Sequence, residues 1–257
     1  GVTDKQAIRE RVWDALDEQG VARFPFPPHG RIPNFAGAET AADRLADTDA
    51  WRDADVVKAN PDAPQLPVRR RALRDGKTVY MAVPRLRDEQ CFLELDPDAI
   101  DPENYDSAPA LSNVDDYADQ VGPDEVPEID LVVSGSVAVT EDGARIGKGE
   151  GYSDLEYAIL HELGLVAPVG CDRTASGETA STADDTTVVT TVHELQVVDA
   201  VTPDEHDVPM DLVVTPERTL DTETPYERPA GVDWGELSEE RIAEIPVLER
   251  LRSDERL

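Results

Sequence analysis

Apolar positions recur along the chain in short runs, and the period of each run indicates the element it forms. Ala7, Ile8, Val12, Ala15 and Leu16 stand at helical spacing behind a Thr3/Asp4 cap. That spacing predicts an amphipathic first helix over 4–18, with Lys5 and Arg9 near its start. Residues 24–37 (FPFPPHGRIPNFAG) are too dense in Pro and Gly for a long regular element and read as an ordered loop. A helix over 38–50 follows, then a strand over 54–58, a turn holding Asn60, Asp62 and Pro64, a helix over 67–75 closed by Gly76, and a buried strand over 77–83 ending at Pro84. Between 88 and 128 the chain is acidic and weakly periodic, and only a short helical piece over 113–120 stands out. The clearest unit comes next: a strand over 129–139, a turn over 141–150 and a helix over 153–163. A small, polar, aperiodic stretch over 172–187 reads as an exposed loop insertion. Strands over 187–193 and 211–215, a short apolar piece over 196–198, a turn over 203–207 and one short helix in the tail from Trp234 complete the pattern. There is no internal repeat.

Strands alternating with helices at this spacing predict a three-layer α/β fold, a mostly parallel, doubly wound sheet with helices on both faces, built as a single domain over 1–257. Ligands of such sheets sit at the carboxyl ends of the strands, at a topological switch point. The candidate chemistry falls at those ends.

Charge changes the picture. The chain carries 56 Asp and Glu against 24 Lys and Arg, a net charge of −32, which repels nucleic acid and anionic membrane surfaces. Only four of the basic residues are lysines: Lys5, Lys58, Lys77 and Lys148. An acidic shell with few lysines is what molar salt favours, since at 1 M the screening length is about 3 Å; such a protein is expected to loosen when salt is withdrawn. Where surface lysines are scarce, those that remain are enriched for function. Cys91 and Cys171 have neither metal-ligand nor redox spacing. No apolar run reaches membrane-spanning length, and a basic-then-apolar leader is absent, so a cytoplasmic monomer is expected.

The strongest motif is Arg145-Ile-Gly147-Lys148-Gly149-Glu150-Gly151-Tyr152-Ser153-Asp154, placed between a strand and a helix. Alternating glycines let backbone N–H groups approach an anion, and the helix N-terminus adds about half a positive charge. Arg145 and Lys148 would complete a phosphate cradle. The spacing matches neither GxxxxGK[ST] nor GxGxxG, and a flexible hairpin turn is the competing reading. Neither His161-Glu162 nor His193-Glu194 has the second histidine of a zinc protease, and Asp96, Asp98 and Asp101 lack the glycine and glutamate of a calcium loop.

The stretch DLVVSGSVAVTEDGARIGKGEGYSD over 130–154 resembles the signature of the 5-formyltetrahydrofolate cyclo-ligase family: Asp-Leu, an apolar strand, Gly, Arg-Leu-Gly, Gly, Gly-Tyr-Tyr-Asp-Arg. Lys5-Gln-Ala-Ile-Arg9 resembles its N-terminal KxxxR, Gly76-Lys77 its GK strand, and Gln196-Val197-Val198 with His206 to Asp211 its closing segment. RIPNFAGA at 31–38 and VKANPD at 57–62 resemble the methenyltetrahydrofolate synthetase domain-containing branch. The resemblance implies ATP-dependent closure of 5-formyltetrahydrofolate, a reduced folate, to 5,10-methenyltetrahydrofolate with Mg²⁺. It implies that Lys5, Arg9, Arg145 and Lys148 act in catalysis, Lys5 and Arg9 on the phosphates and the reacting formyl-phosphate. Arg145, Gly147, Lys148, Gly149, Glu150, Gly151 and Tyr152 would wrap the triphosphate, with Arg9, Asp62, Lys148 and Tyr152 on the folate and Asp154 and Asp207 on the metal. Arg31 and Asn34 could add polar contacts from a new wall.

Read without the resemblance, Lys5 and Arg9 are solvated helix charges, Asp154 is a helix cap, Asp207 is one surface aspartate among many, and RIPNFAGA is a packed loop. The chain also departs from the family, with Tyr152-Ser153-Asp154-Leu155 in place of the tyrosine pair and arginine, Asp62 in place of a glutamate, and no tryptophan-bearing segment over 88–128. A catalytically silent nucleotide or folate-binding module, or an ATP-dependent enzyme on another pterin, are the alternatives.

Overall fold

The computed structural model describes residues 4–166 and 186–255. Helix α1 (Lys5–Glu18) starts at Asp4, whose carboxylate accepts from the Gln6 amide. Strands β1 (Ala22–Arg23) and β2 (Asn34–Phe35) pair antiparallel across the proline-rich loop. Helices α2 (Ala38–Ala46) and α3 (Asp49–Asp53), strand β3 (Val56–Ala59), helix α4 (Leu66–Arg74) and strand β4 (Thr78–Ala82) follow. The acidic centre supplies β5 (Phe92–Leu95), α5 (Val114–Tyr117) and β6 (Asp119–Val121). Then come β7 (Leu131–Ser134), β8 (Ala138–Thr140), β9 (Arg145–Ile146) and α6 (Tyr152–Glu162). The C-terminal part holds β10 (Thr187–Thr191), β11 (Val197–Val198), β12 (Leu212–Val214), β13 (Thr219–Asp221), α7 (Glu239–Glu244) and α8 (Pro246–Glu255).

Eight strands form the main sheet in the order β13-β12-β10-β7-β3-β4-β5-β6. The five from β12 to β4 run parallel, and β13, β5 and β6 add antiparallel edges. Parallel strands are buried on both faces, which explains their unbroken apolar runs. Val57 pairs with Leu131 and Lys58 with Val132, so alternate residues of β3 and β7 face opposite layers. Ala41 and Leu45 of α2 and Ala72 and Leu73 of α4 are fully buried in the core on one side. On the other, Tyr157 and Leu160 of α6 gather with Lys58, Val132 and Ser134. Each leucine buried to this degree contributes about 2 kcal/mol. The three-layer, mostly parallel, doubly wound sheet expected from the sequence is the architecture observed.

A second sheet, β11-β8-β9, receives α1. Ile8, Val12, Trp13 and Leu16 pack with Val137, Ala138, Ala144 and Ile146 in a separate apolar cluster. Lys5 and Arg9, one turn apart at the edge of this buried stripe, are thereby set beside the chain that follows β9.

Several elements differ from expectation. The single strand read over 129–139 is two, because the chain leaves the main sheet at Gly135 and joins the small one at Ala138. A Cβ at Gly135 would lie 2.7 Å from Gln65 Oε1, 2.8 Å from Ile32 Cγ2 and 2.9 Å from Asp62 Oδ2, so any larger residue at the bend has to push these packed side chains aside. Gly135→Ala is expected to destabilise the fold by about 1–3 kcal/mol through overpacking, read as a lower urea midpoint at unchanged slope. The helix read over 38–50 breaks where Thr48 accepts from the Trp51 amide and starts α3. The acidic centre extends the sheet edge through β5 and β6, and the tail holds two helices instead of one. Thr187 belongs to β10, paired with Leu131, and the rest of the loop read over 172–187 lies, up to residue 185, outside the described residues. Cys91 is buried, whereas Cys171 is not among the described residues. No helix among the described residues is long and apolar enough to cross a membrane.

Candidate active site

From β3 the chain moves outward through α4 to β4, and from β7 it moves outward the other way to β10 and β12. The winding therefore reverses between β3 and β7, whose carboxyl ends part and leave room for a ligand. A cleft of about 550 Å³ opens there. It is lined by the ends of β3 and β4 (60–62 and 82–85), the loop from Arg145 into α6, Lys5 and Arg9 of α1, and Asp204 and Asp207. Of the residues nominated from the sequence, Lys5, Arg9, Asp62, Arg145, the loop from Gly147 to Tyr152, Asp154 and Asp207 border it, whereas Arg31 and Asn34 do not. Five basic side chains and six carboxylates line the cleft, near parity in a chain with more than two acids per base.

The glycine-rich loop needs its glycines. Gly149 and Gly151 adopt φ of 110° and 74°, a region L side chains avoid. Gly151 is the N-cap of α6 and has no side chain to cap the helix, which leaves first-turn amides for an anion at the cleft. Arg9 pins the loop, its Nε donating to the Gly147 carbonyl at 2.7 Å. Lys148 extends past it, 39% exposed and only 3.5 Å from Glu150 Oε2, so its charge is the most available on the loop.

Arg145, read from the sequence as completing a phosphate cradle with Lys148, lines the cleft with its side chain buried. Its side chain is 5% exposed, and Nε and Nη2 both donate to the Gly135 carbonyl, at 2.9 and 2.6 Å. The guanidinium spans the bend where the chain leaves β7, with Nη1 3.8 Å from Asp154 Oδ1. Burial explains these bonds: a guanidinium excluded from water has to satisfy its donors on nearby backbone.

Lys5 Nζ donates to Asp207 Oδ2 at 2.8 Å and Asp204 Oδ2 at 2.9 Å. Burial pulls its amine down, but these bonds more than offset that and hold it above the ordinary lysine value. Asp154 Oδ1 accepts from the Val208 amide at 3.0 Å. Burial raises the Asp154 carboxyl, Arg145 and the Val208 amide oppose the rise, and nearby Asp207 adds to it. One oxygen each of Asp154 and Asp207 has no hydrogen-bond donor among the described residues. Two cleft-lining carboxylates that each keep one oxygen without a donor could hold Mg²⁺, which takes one or two carboxylates plus phosphate oxygens.

Asp62 stands opposite the loop. Its carboxylate accepts no hydrogen bond among the described residues, while its backbone carbonyl is held by Arg69 at 2.9 Å. Burial pushes its carboxyl up, against the pull of Lys148, Arg69 and Arg145. A carboxylate raised in the folded state lends stability below its unfolded pKa and loses it as pH rises through the folded pKa. Asp62→Asn is therefore expected to melt higher than the parent at pH 7, with the gap closing on acidification toward the unfolded carboxylate range. Equal melting temperatures at pH 7 would contradict that cost.

Sequence reasoning missed some residues. Lys58 is buried, donating to Glu156 Oε1 at 2.5 Å and Asn60 Oδ1 at 3.1 Å beneath the cleft. Lysine scarcity pointed to it, but the same signal also flags Lys77, whose amine donates to the Ala54 carbonyl and serves the fold. Arg85, at the end of β4, adopts φ 56° on the cleft rim, and nothing local in the sequence announces it. Asn34 is engaged by the Phe24 carbonyl and the Phe35 amide, so its side chain shapes the RIPNFAGA loop. His29 lies 2.7 Å from Asp14 and His206 3.6 Å from Asp233, both pairs at the acidic surface. A larger hollow of about 840 Å³ shares Arg145, Asp204 and Asp207 with the cleft but none of its glycines, so size alone does not select the site.

A model of the 5-formyltetrahydrofolate cyclo-ligase family matches residues 2–169. The chain is 39% identical over 253 residues to a methenyltetrahydrofolate synthase domain-containing protein of Bos taurus, covering 98% of this chain and 62% of that protein. It is 38% identical to the one of Homo sapiens, with the same coverage. The chain thus spans about three-fifths of the length of these relatives. Among solved structures it is similar to an Aquifex aeolicus 5,10-methenyltetrahydrofolate synthetase at 16% identity and a TM-score of 0.48, covering 87% of this chain and 95% of that one. A Mycoplasma pneumoniae 5,10-methenyltetrahydrofolate synthetase gives 11% identity and a TM-score of 0.42, with 82% and 98% covered. Those two likenesses are too distant to carry weight, but the family model covers well over half of the residues: this chain belongs to the 5-formyltetrahydrofolate cyclo-ligase family.

Proposed function

We propose that the cleft binds MgATP and a reduced, formylated folate, and that the protein closes 5-formyltetrahydrofolate to 5,10-methenyltetrahydrofolate with release of ADP and phosphate. The observation that carries this reading is the meeting of an uncapped helix N-terminus with Lys5, Arg9 and Lys148 at the switch point of the sheet. ATP would supply a phosphoryl group to the formyl oxygen, so that the neighbouring amine can attack the formyl carbon, lose its proton and expel phosphate. For that chemistry the protein has mainly to position the reactants and neutralise phosphoryl charge. Lys148 and the α6 amides serve the phosphates, and Lys5 and Arg9 serve the transferred group. Asp154 and Asp207 would hold Mg²⁺, which offsets phosphate charge. Asp62 accepts from ring N–H groups of the folate, and Tyr152 offers its ring as a wall. Arg145 keeps the loop in place from behind. The acidic shell suits molar salt, which sets the conditions for assay.

Calorimetric titration with MgATP in molar KCl tests the site. Lys148→Ala is expected to weaken binding about tenfold, the loss of one charge-assisted contact of about 1.4 kcal/mol. Binding unchanged in this variant would place the nucleotide elsewhere. One observation favours a second reading, a binding module without turnover: residues 88–128 supply no side chain to the cleft and contain no tryptophan.

A further inference from the structure

The family-model match ends at residue 169, yet the C-terminal tail comes back to the cleft. Ser238 caps α7 by accepting from the Arg241 amide at 3.0 Å, which fixes Arg241 in the first turn. The Arg241 guanidinium lies 4.3 Å from the ring centroid of Tyr152, and Nη2 donates to the Glu150 carbonyl at 3.2 Å. Its Nε is buried and finds no acceptor among the described residues. The arginine is thus held by the Tyr152 ring at the start of α6 and a carbonyl of the glycine-rich loop, and has no ion pair among the described residues. Behind it the tail is anchored: Ile242, Ile245, Val247 and Leu248 are buried in the same core as Ile159 and Leu160 of α6. Glu162 of α6 also accepts from the Val232 amide at 3.0 Å.

We infer that Arg241 is a positioning residue through which the tail presets the glycine-rich loop for its ligand, holding Glu150 and Tyr152 so that the loop amides are aligned before phosphate arrives. A loop with two left-handed glycines loses conformational entropy when it closes on a ligand, and an arginine that orders it beforehand removes that cost from binding. The inference rests on the reading of this loop as the cradle for ATP phosphates.

Two measurements on the full chain test it. In ligand-free protein, amide hydrogen exchange over 146–153 is expected to be about tenfold faster in Arg241→Ala, with β3 and β7 unchanged, reflecting a cation–π contact and one hydrogen bond. In turnover, KM for ATP is expected to rise about tenfold with kcat within about threefold, as for lost binding common to ground and transition states. Arg241→Lys should restore less than half of either effect, because an ammonium cannot stack as a planar fork does. Arg241→Gln carries the same test where alanine loosens α7. Loop exchange and KM equal to the parent in a folded variant overturn the inference. Failure of the parent to bind ATP overturns the nucleotide reading instead, and exchange still decides whether Arg241 orders the loop.

Discussion

Lys5→Ala is expected to lower kcat/KM for MgATP by about 10²- to 10³-fold, the loss typical when one preorganised donor to developing charge is removed. Lys5 is 26% exposed and its amine is shared between Asp204 and Asp207. Without it, two carboxylates at the mouth of the cleft are left to repel the triphosphate, so the variant loses an attraction and gains a repulsion. The fold should hardly notice, since partly exposed ion pairs contribute about 1 kcal/mol or less. Because its hydrogen bonds hold the amine above the ordinary lysine value, the effect should be constant across neutral pH. Steady-state rates within threefold of the parent would remove Lys5 from the reaction.

Arg145→Ala should behave differently, destabilising the protein by about 3–4 kcal/mol in urea unfolding. It removes both donors to the Gly135 carbonyl, leaving that acceptor buried and unpaired, and takes away the positive charge 3.8 Å from the half-buried Asp154 carboxylate. Lys148→Ala on the same loop should change stability by only about 0.5 kcal/mol, since its ammonium is exposed and loosely paired. The contrast separates the arginine that holds the loop from the lysine that meets the ligand. A destabilisation under 1 kcal/mol for Arg145→Ala would show that the bend at Gly135 does not depend on it.

Much of this was legible in the sequence because the signals are local. The stripe of Ile8, Val12 and Leu16 gave α1, and the apolar run over 77–83 gave β4. The alternating glycines between a strand and a helix placed the site at strand ends. The break at Gly135 was hidden inside an apolar run that continues through both sheets, and only the crowding around its Cα explains it. Strand β6 was missed because it is a short edge strand with acidic positions such as Asp119, and β5 because its four residues, interrupted by Glu94, are too few to show a period. The pairing of Lys5 with Asp204 and Asp207 joins residues about 200 positions apart, beyond the reach of any spacing rule. Arg241 was invisible for the same reason: its partners, Tyr152 and Glu150, are brought to it only by the packing of the tail on α6.

The most direct measurement is formation of the 5,10-methenyltetrahydrofolate chromophore from 5-formyltetrahydrofolate in molar KCl, with ATP and Mg²⁺ added separately and together. The account predicts absorbance growth that needs both, is abolished by Asp154→Asn and is slowed about tenfold by Lys148→Ala at sub-saturating ATP. A folded, ATP-binding protein that forms no chromophore with both present would contradict it.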